Sequence, residues 1–251
     1  MIQDKKVIPV ILIFSLPLLG ICDAQASSQF SSAAAINFTI DNISNQTNPG
    51  TISSNDLAIF ASFDQDKTSY DSVNGDATIH NLHPSESRSI PLNPGANYSH
   101  TFSLIGSANA GSLESYHLGL YGLTLFNAGT TDTYQVDLSF GYSLSANAGG
   151  QSADTDVSID YFSVEDPLFS GADYLYHSST LAGPVPSVGK SGVFSITLAP
   201  GQAGAYLADV VINGNLTAAP VPLPTAIWPF LTGLMGIVGF KKRKSPAVQA
   251  A

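Results

Sequence analysis

The chain has 251 residues, a formal net charge of −10 and one cysteine. The acidic balance argues against a nucleic-acid partner. A single cysteine excludes a disulfide framework and a cysteine-built metal site within the chain.

Residues 1–26 read as a secretory signal peptide. Lys5 and Lys6 form the positive n-region, with Asp4 against the pattern. Residues 7–21 are an apolar h-region, short for a membrane span. Ala24-Gln25-Ala26 supplies the small-x-small pattern, which places cleavage after Ala26. A lipoprotein signal ending at Cys22 is the alternative, but the bulky Ile21 before it argues against that reading. Such a leader implies the Sec translocon and signal peptidase as partners. Without Cys22 the mature chain must be stable by packing alone.

The mature region, 27–219, has the length of one β domain and suffices for a real core. Period-two patterning dominates it. Residues 36–40 alternate as a first strand, and Asn48-Pro49-Gly50 is a turn signal. Further strands are expected at 57–63, 77–82 and 98–105. Residues 118–126 are apolar on both parities, which predicts a central strand covered on both sides. The clearest strand places Tyr134, Val136, Leu138, Phe140, Tyr142 and Leu144 on one parity, with Gln135, Asp137, Ser139 and Ser143 on the other. Residues 157–162, 173–178, 194–198 and 206–216 continue the pattern. Turn clusters fall at Asn74-Gly75-Asp76, Asn93-Pro94-Gly95, Asn147-Ala148-Gly149-Gly150 and Ala199-Pro200-Gly201. The longest loop is 181–190. The expectation is an all-β fold: an antiparallel β-sandwich ectodomain, flanked by the signal peptide and a C-terminal transmembrane helix.

Charge divides the chain. Between 27 and 219 only Lys67, Arg88 and Lys190 oppose seventeen carboxylates, a formal net charge of −14. The densest oxygen cluster is Asp64, Asp66, Asp71 and Asp76, a candidate calcium site since Ca²⁺ takes six to eight oxygens from flexible loops. The EF-hand spacing is absent, and a solvated acidic loop is the alternative. His80 and His83 would face opposite sides of a strand and meet His100 only through tertiary folding. Gly189-Lys190-Ser191 lacks the first glycine of a phosphate loop. Neither G-x-S-x-G nor H-E-x-x-H occurs, so no catalytic residue is assigned. Tyr174 and Tyr176 share one parity. They suit stacking on sugar rings or, equally, the core.

The C-terminal segment, 220–251, has three parts. A proline lead, Val221-Pro222-Leu223-Pro224, precedes an uncharged run to Phe240, and then the basic block Lys241, Lys242, Arg243 and Lys244. About 20 residues of helix span about 30 Å, the hydrocarbon core of a bilayer. Moving four cations across would cost on the order of 10 kcal/mol, so they stay on the cytoplasmic side. The prolines make the first third a poor helix, so the regular helix is expected from about Trp228.

This three-part order resembles the PEP-CTERM sorting signal in its VPLP variant. Leu223 stands at the usual acidic position and Thr225 at the usual alanine. The resemblance covers about a tenth of the chain. It implies a Gram-negative host and cleavage by an exosortase-like membrane protease. It also implies association with exopolysaccharide or biofilm matrix. The expected protein is exported, held transiently through its C-terminus, then placed at the cell surface or in the extracellular matrix. It is expected to be non-catalytic and structural. A carbohydrate-binding module is the alternative, and a secreted hydrolase is the third reading.

Overall fold

Alternation of apolar and polar side chains makes 27–219 a succession of long strands. The computed structural model describes residues 27–81, 83–181 and 187–219, together with Thr232, Gly233 and Met235. The leader cleavage site at Ala24 and Ala26 lies outside these residues. So do the proline lead, Val221 to Pro224, the basic block, Lys241 to Lys244, and most of the expected transmembrane helix.

Among the described residues there are twelve strands: β1 (Ser28–Asn45), β2 (Leu57–Gln65), β3 (Tyr70–Gly75), β4 (Thr78–His80), β5 (Glu86–Ser89), β6 (Asn97–Ala108), β7 (Gly111–Asn127), β8 (Tyr134–Gly150), β9 (Ser152–Ser163), β10 (Ser170–Ser178), β11 (Val188–Leu198) and β12 (Ala203–Ala218). They form two antiparallel sheets. The five-stranded sheet has the order β11-β8-β1-β6-β4. The seven-stranded sheet has the order β10-β9-β12-β7-β2-β5, with β3 also paired to β7. The all-β, two-sheet architecture expected from the alternation is therefore present.

β7 is central. Its second half pairs with β2 and its first half with β3, which continues the same flank after a turn at 66–69. Most of the chain steps from sheet to sheet. Gly150, with φ of 96°, makes one such step, from β8 to β9. A side chain there would meet the backbone of Ser27 and Ser28. The expected turns at Asn48-Pro49-Gly50, Asn93-Pro94-Gly95 and Ala199-Pro200-Gly201 are present, each with its glycine at positive φ. The turn expected at 147–150 lies inside β8 instead, where Asn147 pairs with Ser31 and Ala148 with Phe30. Only Gly150, the last residue of that cluster, takes part in the chain reversal.

The core lies between the sheets. On β8 the whole predicted parity, Tyr134 to Leu144, is buried. Each large apolar side chain removed from water contributes about 1.5–3 kcal/mol before entropy is charged against it. Two aromatic clusters fill the flanks. One joins Phe140, Tyr161, Phe169 and Tyr206, with neighbouring centroids about 5 Å apart. The other joins Phe63, Phe102 and Tyr121 with His83 and His100.

Phe30 of β1 projects into space left open by Gly106 and Gly214. Beside it, Thr155 Oγ1 donates to the Asn213 carbonyl at 2.6 Å, so Ser32 Oγ must donate to Thr155, at 2.7 Å. At one end, Ser28 Oγ donates to the Thr217 carbonyl at 2.8 Å, joining the start of β1 to the end of β12.

Candidate functional site: the outer face of the larger sheet

Side chains alternate across a strand, so burying one parity of β7, β9, β10 and β12 presents the other to solvent. Register then fixes which outward residues are neighbours. One row across the sheet reads Tyr176, Asp156, Asn213, Tyr116 and Tyr70. The next reads Tyr174, Ser158, Val211 and Leu118. The third reads Ala172, Asp160, Asp209, Leu120 and Asp64. Successive rows are about 7 Å apart, and strands about 4.8 Å.

These rows enclose an open depression of about 570 Å³. Its shape follows from side-chain size. Tyr174 and Tyr116 stand over the smaller Ser158, Ala172 and Val211. Tyr174 is 59% exposed and Tyr176 43%. Of the two readings left open for these tyrosines, the outward one holds. Tyr70 stacks on Tyr116 with ring planes 18° apart, and its hydroxyl donates to Glu114 at 2.9 Å. Residues 118–126 are central as expected but covered on one side only. The outward Leu118 and Leu120 are half-buried, and Leu118 lines the depression.

Carboxylates dominate the electrostatics here. Asp160 and Asp209 are direct cross-strand partners. Burial pushes the Asp209 carboxyl above the usual carboxylate range, and the Asp160 charge adds to it. Burial likewise raises Asp156, against a hydrogen bond from Asn213 Nδ2 at 2.9 Å that favours its ionised form. Asn215 Nδ2 donates to Asp154 at 3.1 Å. None of Lys67, Arg88 or Lys190 lies on β7, β9, β10 or β12. Lys190 is instead 3.5 Å from Asp173, and Arg88 sits over the Tyr98 ring at 4.9 Å.

The four aspartates named for calcium are dispersed among separate hydrogen-bonding duties. Asp64 on β2 accepts from Ser85 Oγ. Asp66 accepts from the Thr68 amide at 2.7 Å within the turn, and the Thr68 bonds hold its carboxyl below the usual range. Asp71 on β3 accepts from Asn81 Nδ2 at 2.7 Å, from His117 Nε2 at 2.9 Å and from Ser115 Oγ. Asp76 accepts from the Asn109 amide at 3.1 Å and the Ala110 amide. Among the described residues no group of three or more His, Cys, Asp or Glu converges as a metal site requires.

Two histidine clusters were not legible beforehand. Buried His117 has Gln65 Nε2 on Nδ1 at 2.6 Å and Asp71 on Nε2. Both ring nitrogens are thus engaged, and Ser115 donates to Asp71 rather than to the ring. A nucleophilic triad instead requires the hydroxyl to donate to the imidazole. His83 and His100 come together, with ring centroids 6.2 Å apart, while His80 ends β4 at the surface. His100 Nδ1 lies 3.0 Å from the Tyr121 hydroxyl.

The chain matches no family model, and no curated protein or solved structure matches it. The functional reading therefore rests on this geometry and on the sequence signals at the two ends.

Proposed function

We propose that this is an exported, non-catalytic cell-envelope protein whose β domain binds extracellular polysaccharide through the outer face of the larger sheet. The observation that carries the reading is the exposure of Tyr174 and Tyr176 on the same face as Tyr116, with Tyr174 and Tyr116 lining the depression. A pyranose ring has an apolar face of C–H groups that packs on an aromatic ring, while its hydroxyls bond at the ring edge. Asp156, Asn213, Ser158 and Asp160 supply acceptors and donors beside the rings. The adjoining rows suit an extended chain better than a compact ligand.

The termini support the envelope setting. The leader-like 1–26 implies Sec export and signal-peptidase cleavage. The PEP-CTERM-like 220–251 implies transient retention, exosortase-like processing and release to the surface or matrix. Calcium at Asp64, Asp66, Asp71 or Asp76 remains a proposal from sequence alone, and the reading does not depend on it.

The test is affinity electrophoresis of the full-length chain, in mild detergent, through gels containing soluble polysaccharides of different charge. Retardation by at least one polymer is expected. Tyr116→Ala with Tyr174→Ala should abolish it while leaving the melting transition in place. Absence of retardation across neutral, cationic and anionic polymers defeats the reading.

A further inference from the structure

Asp160 and Asp209 stand directly opposite each other on β9 and β12, at the edge of the depression. Directly opposed residues in an antiparallel pair have Cβ atoms about 4.5–5.5 Å apart, and like charges there are unfavourable. Four of the outward positions in the three rows are aspartates, with Asp154 beyond them on β9, and the strands that carry the depression contribute no cation. The domain as a whole has three cations against seventeen carboxylates. Lys190 pairs with Asp173 at the rim of the depression, 3.5 Å away, but among the described residues no cation pairs with Asp160 or Asp209.

We propose that the polysaccharide taken by this face is a cationic amino-sugar polymer, a hexosamine chain with free amino groups. The proposal rests on the polysaccharide-binding reading above and narrows it. Charge complementarity carries it. A polymer of uronic acids or sulfated sugars meets a field of its own sign. A neutral polymer can stack on Tyr174 and Tyr116 but leaves the Asp160–Asp209 repulsion in place. A hexosamine with a free amine does both jobs: its ring face stacks, and its ammonium group sits between the two carboxylates. Half-buried Asp209 is the stronger partner, because a charge-assisted bond gains when water is partly excluded.

The test compares the full-length chain on three probes at mildly acidic pH: partly de-N-acetylated chitosan oligomers, fully N-acetylated chitin oligomers of the same length, and alginate. The chitosan oligomers should bind about tenfold or more tighter than the acetylated ones, and alginate should not bind. Asp160→Asn with Asp209→Asn should bring the chitosan and chitin affinities to parity. Tyr174→Ala should lower both by similar factors.

The results separate the two claims. Equal or tighter binding of acetylated oligomers in the parent protein overturns the cationic assignment and leaves polysaccharide binding intact. Chitosan binding undiminished in the double asparagine variant overturns the assignment to this pair. Displacement of chitosan by spermine at matched charge, with Tyr174→Ala without effect, reduces the interaction to a general acidic surface and also overturns it. Failure of every polymer to bind removes both claims. Melting curves of each variant confirm that the sheet is retained, and removing both charges of a repelling pair gives no reason for unfolding.

Discussion

The ring of Phe30 occupies the space that a side chain on Gly214 would need. Gly214 lies in the opposite sheet, while Gly106 is the cross-strand neighbour of Phe30 on β6, so one phenyl group is seated against two glycines. Gly214→Ala should therefore overpack the core and destabilise the domain by about 1–3 kcal/mol. Phe30→Leu should recover part of that loss in the double variant, since the branched side chain is shorter. Chemical denaturation of the four proteins of this cycle measures the coupling, and strict additivity would show that the ring and the glycine do not interact.

Stability should fall as the pH drops below about 6.5. Burial holds His83 below the ordinary histidine value of 6.5, against the Ser103 backbone bond that raises it. Burial also lowers His100, against the Glu86 charge. Below pH 6.5 the unfolded chain binds protons that the folded chain resists, so unfolding becomes easier until the depressed folded values are reached. The melting temperature should decline by a few degrees across this window. His83→Gln and His100→Gln should flatten the decline. Asp209 and Asp156 act with the opposite sign at lower pH. Their raised folded values let the native state take up protons first, so their contribution improves as pH falls toward 3.8.

Tyr206→Phe should not weaken the domain. Among the described residues the buried Tyr206 hydroxyl has no hydrogen-bond partner, while its ring packs edge-on to Phe169 with centroids 4.8 Å apart. Removing an unsatisfied hydroxyl keeps the ring contact and lifts a desolvation penalty. The expected gain is up to about 1 kcal/mol, read as a higher denaturation midpoint. A loss of that size would reveal a bridging partner for the hydroxyl.

Sorting and simple anchoring make different demands on the C-terminal segment. Both require the apolar run and the basic block, but only sorting requires the proline lead. Prolines keep a backbone extended and out of a helix, where a protease can reach it. Pro222→Ala with Pro224→Ala should leave membrane insertion intact and block loss of the C-terminal fragment. Removing Lys241 to Lys244 should weaken retention instead. Mass spectrometry of the C-terminus, in hosts with and without an exosortase, distinguishes these outcomes. An intact C-terminus in the native host sinks the sorting reading.

The strands easiest to read in sequence were those with one wet face and one buried face, such as the run from Tyr134 to Leu144. β3 and β5 gave no such signal, because Tyr70 to Gly75 and Glu86 to Ser89 are exposed on both parities. They exist through pairing with β7 and β2, which local sequence cannot report. Leu118 was misread for the converse reason. Apolar residues on both parities of β7 suggest two covered faces, yet outward Leu118 lines an open depression and Phe126 is exposed. Tyr174 and Tyr176 were recognised as a pair, while Tyr116, Asp160 and Asp209 were not. Their partnership depends on cross-strand register between distant segments, Asp160 with Asp209 across β9 and β12, and Tyr116 with Asn213 across β7 and β12. His83 and His100 meet for the same reason, since each is carried by a different part of the sandwich.

The hydrogen bond between Ser28 and Thr217 has a mechanical meaning. It places the first and last strands side by side at one pole, so the chain enters and leaves the domain together. β12 is an inner strand, paired along nearly its whole length with β7 and for most of it with β9. A pull applied through residue 219 therefore loads both ladders in shear, with many bonds resisting at once. An edge strand would instead peel away one bond at a time. Under the proposed function, and while the C-terminal segment still holds the protein at the membrane, a polymer lying across β10, β9, β12 and β7 rests on the strand that leads into that segment. Tension between a glycan network and the membrane would then pass along one sheet, without having to cross the core that joins it to the other.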